Sequence, residues 1–382
     1  MPTKSKNRAH AATDRGELGQ IVLVLQGGGA LGAYQAGVYQ ALDETGIEPD
    51  WVIGTSIGAI NAGIIAGNRR EDRVARLREF WSRMRRDPIT DMIAGIPFWG
   101  TAAAHAMTAM SGLPNFFKPN PWASLGGPMT PETAGYYSTA PLAATLSDLI
   151  DPDLLGRCAT RLTVGAANVR TAEMHYFDSR DMPVTIRHIM ASGALPPAFP
   201  AVRIGEEFYW DGGILSNTPV EAVFDDNDRR SGLVFTVNIW HPDGKEPVDM
   251  NQVLARMKDV QYASRAKAQV VRQKQIHRLR HVIAELARKL PEDVRDQAEV
   301  RRLAGHGCLT RMHVVRLQAP AIAGEDQSKD IDSSAAGIRR RWDAGYADTL
   351  RVLEQRPWTR PFDPLEGFIL HETEAGAILR DG

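Results

Sequence analysis

Two strand-turn-helix units follow one another within residues 20–66, and this repetition constrains the fold more than any other feature of the chain. Residues 20–26 read QIVLVLQ, a short continuous apolar run that is typical of a strand buried on both faces. Three glycines and a helical pattern follow it, and residues 51–66 repeat this order. Strands that alternate with helices predict an α/β fold with a mainly parallel central sheet flanked by helices.

Changes in composition divide the 382 residues into three predicted parts. Residues 1–19 are polar and lack the apolar core of a secretory signal, so we expect a flexible N-terminal tail. Strand and glycine-turn patterns continue through residues 20–245, which we assign to one α/β domain. Residues 246–382 change to long helical patterns with one strand at 312–317, and this predicts a mostly helical C-terminal extension.

Cysteine usage and charge limit the compartment and the partners. The two cysteines stand 150 positions apart and form neither a disulfide framework nor a zinc motif, and no apolar run reaches the roughly 18 residues of a membrane-spanning helix. We therefore expect a cytoplasmic protein. The net charge of −1 argues against nucleic acid as a partner, but residues 249–290 carry ten Lys or Arg against three Asp or Glu. This basic segment is either a solvated helix face or a peripheral contact with an anionic membrane.

The glycine turn after the first strand has two chemical interpretations, beside the simple one that it permits close packing. Gly27, Gly29 and Gly32 fit the G-x-G-x-x-G fingerprint of a dinucleotide site. That site also needs an acidic residue at the carboxyl end of the next strand, to bind the ribose hydroxyl. Asp50 has the right separation but precedes that strand. The same turn can instead offer backbone N–H groups to an oxyanion.

A candidate nucleophile stands at the carboxyl end of the second strand. Ser56 lies within GTSIG, where Gly54 and Gly58 permit the sharp strand-to-helix turn of a nucleophile elbow. Neighbouring parallel strands bring their carboxyl ends to one edge of the sheet, so the N–H groups of Gly28 and Gly29 can face Ser56. Such donors would stabilise the negative charge that develops when a serine attacks an ester carbonyl.

The base that activates Ser56 is less obvious from the sequence. Six histidines lie downstream of residue 211, but none stands in a recognisable motif, and an elbow on the second strand comes too early for an α/β-hydrolase. Asp211 closes a strand before Gly212 and Gly213, and three aromatic residues precede it. Desolvation among them would raise the pKa of the carboxyl and make it a better base, although a lone Asp-Gly-Gly is more often an ordinary turn.

Taken together, these motifs resemble the patatin-like phospholipases, a family of lipid acyl hydrolases that use a Ser-Asp dyad. The resemblance covers residues 21–245 in the order GGGALG, GTSIG, ASGALPPAFP and DGG. It implies a three-layer patatin-like fold. Residues 327–332, which read QSKDID, and the helical pattern after them resemble an extension found in a bacterial subfamily.

The resemblance also implies a role for each motif residue. Ser56 would attack the acyl carbonyl while Asp211 accepts its proton, and water would release the acyl-enzyme. The oxyanion hole would be formed by the glycine turn and the residue after the nucleophile, which are Gly27, Gly28, Gly29 and Ile57. The resemblance implies no metal and no other cofactor.

An apolar segment follows the third predicted helix. Residues 92–131 contain a single charged side chain, Lys118, together with several large apolar residues and prolines. Such a segment is either a lid or acyl-chain tunnel over an apolar cleft, or a part of the core. Phe116 and Phe117 are the candidate residues of a substrate channel.

The motifs specify acyl transfer more sharply than they specify a substrate. We expect cleavage of carboxylic esters of lipids, of the phospholipase or lipase type, and the alternative is a neutral-lipid, polyester or small-ester carboxylesterase with the same dyad. A nucleotide-binding oxidoreductase and a catalytically inactive scaffold are two further classes. The position of Asp50 argues against the first, and the joint presence of Ser56 and Asp211 argues against the second.

Overall fold

The structure is a computed structural model that describes residues 19–94, 96, 100–157, 159–226, 229–322, 325, 327–363 and 365–372. The predicted N-terminal tail up to residue 18 lies outside the described residues, as does Cys158.

A mainly parallel sheet forms the centre of the molecule. Its strands run in the order β11-β10-β9-β1-β2-β5-β8-β7, and β6 pairs with the other edge of β5. Neighbours from β11 to β5 are parallel, whereas β6 and β8 run antiparallel to β5, and β7 antiparallel to β8. The short strands β3 and β4 form a separate ladder. The strands are β1 (Gln20–Leu25), β2 (Trp51–Thr55), β3 (Lys118–Pro119), β4 (Tyr137–Ser138), β5 (Arg161–Asn168), β6 (Met174–Asp178), β7 (Val202–Ile204), β8 (Glu207–Asp211), β9 (Gly232–Asn238), β10 (Met312–Gln318) and β11 (Phe368–Glu372).

Helices cover both faces of this sheet, as the alternating sequence pattern predicted. The described helices are α1 (Ala33–Thr45), α2 (Ile57–Ala66), α3 (Arg70–Arg83), α4 (Pro88–Ala94), α5 (Gly100–Ser111), α6 (Ala140–Leu149), α7 (Pro152–Gly156), α8 (Ile186–Ser192), α9 (Glu221–Phe224), α10 (Met250–Lys289), α11 (Glu292–Arg295), α12 (Ala298–Ala304) and α13 (Ala335–Gln355). Among the described helices, none is both long and apolar enough to cross a membrane.

Strand β1 shows why the central strands are apolar at every position. Leu23 and Leu25 belong to the hydrophobic cluster that contains residues of α1, α2 and α13. Val22 and Val24 point to the opposite face and join a second cluster with residues of α9 and of strand β10. Both faces of the sheet are therefore buried under helices, and an alternating polar pattern is excluded for the strand.

The C-terminal extension is part of this fold and does not form a separate unit. Strand β10 pairs in parallel with β9 along its whole length, and β11 extends the sheet beyond β10. Helix α13 packs on α1, where Trp342 Nε1 donates to Gln40 Oε1 at 2.7 Å and Tyr34 Oη donates to Asp348 Oδ2 at 3.0 Å. The boundary expected at residue 246 thus marks a change in composition, while the sheet continues across it.

Candidate active site

The register of the sheet brings the ends of β2 and β8 together. On strand β5, Gly165 pairs with Thr55 at the end of β2, and the next residue, Ala166, pairs with Asp211 at the end of β8. Strand β6 occupies the opposite edge of β5 at these same residues. Strands β2 and β8 therefore share one edge of β5 and meet end to end. Ser56 directly follows β2, so the topology places it beside Asp211.

Ser56 occupies a strained elbow between β2 and α2. Its backbone angles are φ 56° and ψ −126°, a conformation that residues other than glycine rarely adopt. Close packing explains the flanking glycines, because a Cβ atom on Gly54 would lie 2.3 Å from the carbonyl carbon of Gly58, and one on Gly58 would lie 2.2 Å from the oxygen of Leu25. The structure thus contains the sharp strand-to-helix turn that the GTSIG motif predicts.

The buried hydroxyl group of Ser192 holds the backbone of this elbow. The Ser56 N–H donates to Ser192 Oγ at 2.9 Å, and Ser192 Oγ in turn donates to the Gly165 carbonyl at 2.6 Å. Ser192 ends helix α8 and is completely buried. It therefore links the nucleophile's backbone to the strand that sets the register of the site.

Asp211 is buried, and burial governs its protonation. Desolvation raises the pKa of its carboxyl from 3.8 to about 6. Two interactions oppose that rise and favour the carboxylate, namely the side chain of Ser56 and the N–H of Gly213, which donates to Asp211 Oδ1 at 2.7 Å. A carboxyl group with this pKa is ionised at neutral pH and is a stronger base than an exposed aspartate.

The turn between β1 and α1 lines the same cavity as Asp211. Gly28 and Gly29 line the same cavity as Ser56 and Ile57. Among the residues that the structure describes, no acceptor takes the N–H groups of Gly28, Gly29 or Ile57, whereas Ala30 N–H donates to the Asp330 carbonyl at 2.8 Å. Three unengaged backbone donors therefore border the nucleophile, which is the composition of an oxyanion hole.

Gly27 differs from the expectation that it supplies an oxyanion donor. Its N–H already donates to the Asn217 carbonyl at 3.1 Å. Its own carbonyl accepts from Trp240 Nε1 at 2.7 Å and from Asn217 Nδ2 at 3.0 Å. Gly27 thus anchors the turn to buried side chains, and the donors that remain belong to its neighbours.

The other motif glycines are structural. Gly32 is the N-cap of α1 and packs beside α2, where a Cβ atom would lie 2.6 Å from Ile57 Cγ1. Gly212 and Gly213 form the buried turn after Asp211. These glycines shape the site, and the Gly213 N–H also donates to the Asp211 carboxylate.

Ser56 and Asp211 both line an apolar cavity of about 280 Å³. Phe116 and Phe117 lie in its wall and form a ring cluster with Tyr137 and Phe199, with centroids 4.7 to 6.3 Å apart. The two phenylalanines are half-buried. Part of the apolar segment 92–131 therefore lines the candidate site, while Phe98 and Trp99 of the same segment lie outside the described residues.

The structure gives little support for a histidine base, a dinucleotide site or a metal site at this position. None of the six downstream histidines lines the cavity in the described part of the chain; they are His241, His277, His281, His306, His313 and His371. Asp50 accepts from the Ile21 N–H at 2.8 Å, which places it at the opposite end of the strands from the glycine turn. No group of three or more potential metal ligands occurs among the described residues.

Sequence reasoning missed three residues that support the site. Ser192 and Asn217 stand in the quoted ASGALPPAFP block and just after DGG, and Asp330 stands in QSKDID. Proximity to a motif gave a signal for the first two, whereas Asp330 reaches the site from the far end of the chain and had no local signal.

The fold and site define a class: an α/β protein with a serine elbow, a neighbouring carboxylate and a glycine turn at one edge of a parallel sheet. A family model described as Patatin-like phospholipase matches residues 23–224, which is more than half of the chain. The chain therefore belongs to the patatin-like phospholipase family. A second model, described as Patatin phospholipase, matches residues 260–365 in the C-terminal extension.

Curated relatives are similar over limited regions. Lysophospholipase NTE1 of Mycosarcoma maydis is 40% identical over 92 residues, which is 22% of this chain and 5% of that protein. The human patatin-like phospholipase domain-containing protein 6 is 35% identical over 88 residues, or 20% of this chain and 6% of that protein. An uncharacterised NTE family protein of Mycobacterium tuberculosis is 28% identical over 207 residues, or 54% of this chain and 28% of that protein. The chain thus spans less than a third of each of these relatives.

Solved structures with a partial likeness were also found. VipD from Legionella pneumophila superimposes with a TM-score of 0.37 at 15% identity, over 88% of this chain and 67% of that one. Human GIVD cytosolic phospholipase A2 superimposes with a TM-score of 0.36 at 11% identity, over 62% of this chain and 46% of that one.

Proposed function

We propose that this protein is a serine acyl hydrolase that cleaves carboxylic esters of lipids through a Ser56–Asp211 dyad. The observation that carries the proposal is the placement of a strained serine beside a buried carboxylate with a raised pKa, at the base of an apolar cavity. Membership of the patatin-like phospholipase family and the lysophospholipase named among its relatives support a lipid ester as substrate.

The first half of the reaction forms an acyl-enzyme. Ser56 Oγ attacks the ester carbonyl carbon as its proton passes to the Asp211 carboxylate. The negative charge on the carbonyl oxygen is held by the N–H groups of Gly28, Gly29 and Ile57, and removal of one such donor typically costs about 3 kcal/mol of transition-state stabilisation. The C–O bond then breaks, and the alcohol leaves with the proton returned by Asp211.

The second half of the reaction restores the enzyme. Asp211 takes a proton from a water molecule, and the resulting hydroxide oxygen attacks the acyl carbon. The tetrahedral intermediate is held by the same three amides. It collapses as the Ser56 oxygen recovers its proton from Asp211, and the carboxylic acid leaves. Each half of the reaction needs one base, and we propose Asp211 for both.

Exposed apolar residues on cavity-lining elements support a lipid surface as the source of substrate. Helix α10 contributes Tyr262 to the cavity, and on the preceding turns of this helix Met257 is 55% exposed. Helix α5 contributes Thr108 and Ala109, and its neighbour Met110 is 80% exposed. We propose peripheral contact with a membrane through this side of a cytoplasmic protein.

Basic residues contribute less to that contact than their number in residues 249–290 implies. Arg256 donates to the carbonyls of His241 and Pro242, and Lys258 forms an ion pair with Asp330. These two basic side chains bind other segments of the protein and are not free to contact lipid. Sedimentation with neutral and with anionic vesicles measures the relative contributions of apolar and basic residues. The apolar contact proposed here predicts binding to both kinds of vesicle.

The test of the function is a panel of soluble and aggregated esters. Wild-type protein should hydrolyse p-nitrophenyl esters and release fatty acid from phospholipid vesicles, and Ser56→Ala should do neither. Hydrolysis of short soluble esters alone would favour the alternative, a small-ester carboxylesterase with the same dyad. Equal rates for wild type and Ser56→Ala would overturn the proposal.

A further inference from the structure

A reciprocal pair of ion pairs connects helix α10 to the loop between β10 and α13. The sequence Lys258-Asp259 on the helix faces the sequence Lys329-Asp330 in the loop. Lys258 Nζ lies 2.7 Å from Asp330 Oδ1, and Lys329 Nζ lies 2.7 Å from Asp259 Oδ1. Each lysine thus pairs with the other segment's aspartate. We call these four residues the clasp.

Further bonds fix the loop that carries the clasp. Lys258 Nζ also donates to the Gln327 carbonyl at 2.9 Å. Arg341 of α13 is buried and donates to the carbonyls of Lys329 at 3.1 Å and Asp332 at 3.0 Å. The loop is therefore held from the helix on one side and from α13 on the other.

The clasp loop touches the glycine turn directly. The Asp330 carbonyl accepts the Ala30 N–H at 2.8 Å. Gly29 has a φ of +55°, and a Cβ atom at this position would lie 2.2 Å from the same carbonyl oxygen. Asp330, Ile331 and Ser333 line the cavity together with Ser56. The C-terminal extension thus meets the turn whose N–H groups border the nucleophile.

We infer that the clasp positions the oxyanion turn, so that the C-terminal extension supports catalysis through Asp330. This inference rests on the proposed function. The Asp330 carbonyl accepts the N–H of Ala30, the residue after Gly28 and Gly29. This bond would fix the orientation of the two preceding peptide groups, whose N–H groups are the proposed oxyanion donors. Oxyanion donors act through their fixed direction, so a small displacement of the turn lowers the rate of the chemical step more than it lowers binding.

The two ion pairs differ in burial, and this decides which of them can be tested by substitution. Lys329 and Asp259 are buried, with 6% and 11% of their side chains exposed, so removal of one partner would leave a buried charge and threaten the fold. Lys258 and Asp330 are 29% and 21% exposed. A pair with this exposure contributes little to stability itself, because solvent screens it. Lys258 is therefore the residue to change.

The kinetic test compares Lys258→Met, which keeps the alkyl chain, with Lys258→Arg, which keeps the pair. With a soluble short-chain ester, Lys258→Met should lower kcat about tenfold with KM changed less than twofold, and Lys258→Arg should stay within about twofold of wild type. Lys274→Met is the matched control, because Lys274 lies on the same helix and its substitution breaks a different ion pair, with Glu366. A wild-type kcat for Lys258→Met would overturn the inference.

Hydrogen exchange supplies a readout that does not depend on activity. In Lys258→Met, exchange of the peptide containing residues 27–31 should accelerate about tenfold, while strand β1 and the Lys274→Met control stay unchanged. Acceleration in a protein without esterase activity would support the link between clasp and turn and would refute the proposed function instead. Unchanged exchange in an active enzyme would refute the positioning role of the clasp.

Discussion

The glycine turn at residues 27–32 and the clasp loop at 327–333 lie at the same edge of the sheet, but they come from opposite ends of the chain. The residues that form the turn are neighbours in sequence, namely three glycines between a strand and a helix. The loop reaches the turn only because β10 pairs with β9 and α13 packs on α1. The difference shows that the turn is recognisable from local sequence, while the contacts that hold it depend on the completed fold.

Removal of residues 246–382 is the most drastic way to test this comparison. Without them, strand β9 loses its partner β10 and helix α1 loses the cover of α13, so edge and apolar surface become exposed. We expect residues 1–245 alone to be insoluble or to lack cooperative unfolding by circular dichroism. A truncated protein that unfolds at the temperature of the full chain would show that the extension is dispensable for the fold.

Asp211→Asn tests the local half of the site. Hydrolysis should fall about 10²- to 10⁴-fold, because the amide cannot accept the Ser56 proton. The folded protein should at the same time become more stable at pH 8, by up to about 3 kcal/mol, because the raised pKa means that an ionised carboxylate destabilises the fold. Thermal unfolding and ester hydrolysis measure the two effects. Full activity in this variant would identify another base.

The pH profile follows from the same residue. The proposed role of Asp211 as base requires its ionised form, so kcat/KM should fall about tenfold per pH unit below about 6 and reach a plateau above it. The contribution of Asp211 to folding stability has the opposite pH dependence from its contribution to activity. Because folding raises this pKa, the protonated carboxyl favours the folded state, and that contribution is lost as the pH rises through about 6. A kcat/KM that stays constant down to pH 4 would contradict this assignment.

Ser192→Ala asks whether the elbow needs its buried support. Loss of the hydroxyl removes both the bond from the Ser56 N–H and the bond to the Gly165 carbonyl. We expect kcat to fall about ten- to a hundredfold with an unchanged apparent pKa, because the base is untouched while the nucleophile is displaced. Ser147→Ala, at an exposed position of helix α6, is the matched control. An unaltered kcat would restrict the role of Ser192 to folding.

Phe117→Ala has the smallest expected effect and concerns the cavity wall. The ratio of kcat/KM for long-chain to short-chain esters should fall roughly tenfold, since a long acyl chain loses an apolar contact that a short one does not make. Tyr136→Ala, at a neighbouring exposed position, serves as the control. Equal losses on both esters would place Phe117 in the core and remove it from substrate binding.

The sequence predicted the parts of this molecule that depend on short-range patterns. The continuous apolar strand at 20–26, the glycines around Ser56 and the α/β class all follow from residues within a few positions of one another. The union of the extension with the sheet did not follow, because β9 and β10 are separated along the chain by helix α10. Nor did the engagement of the Gly27 N–H, which depends on the distant carbonyl of Asn217.

Labelling with a fluorescent fluorophosphonate, followed by mapping of the modified peptide, addresses the nucleophile itself. If Ser56 is activated by Asp211, the label should appear on the peptide containing Ser56 in wild-type protein, more slowly at pH 5 than at pH 8. It should be absent from Ser56→Ala and strongly reduced in Asp211→Asn. A label on another residue, or none in folded protein with or without added lipid, would contradict the Ser56–Asp211 dyad.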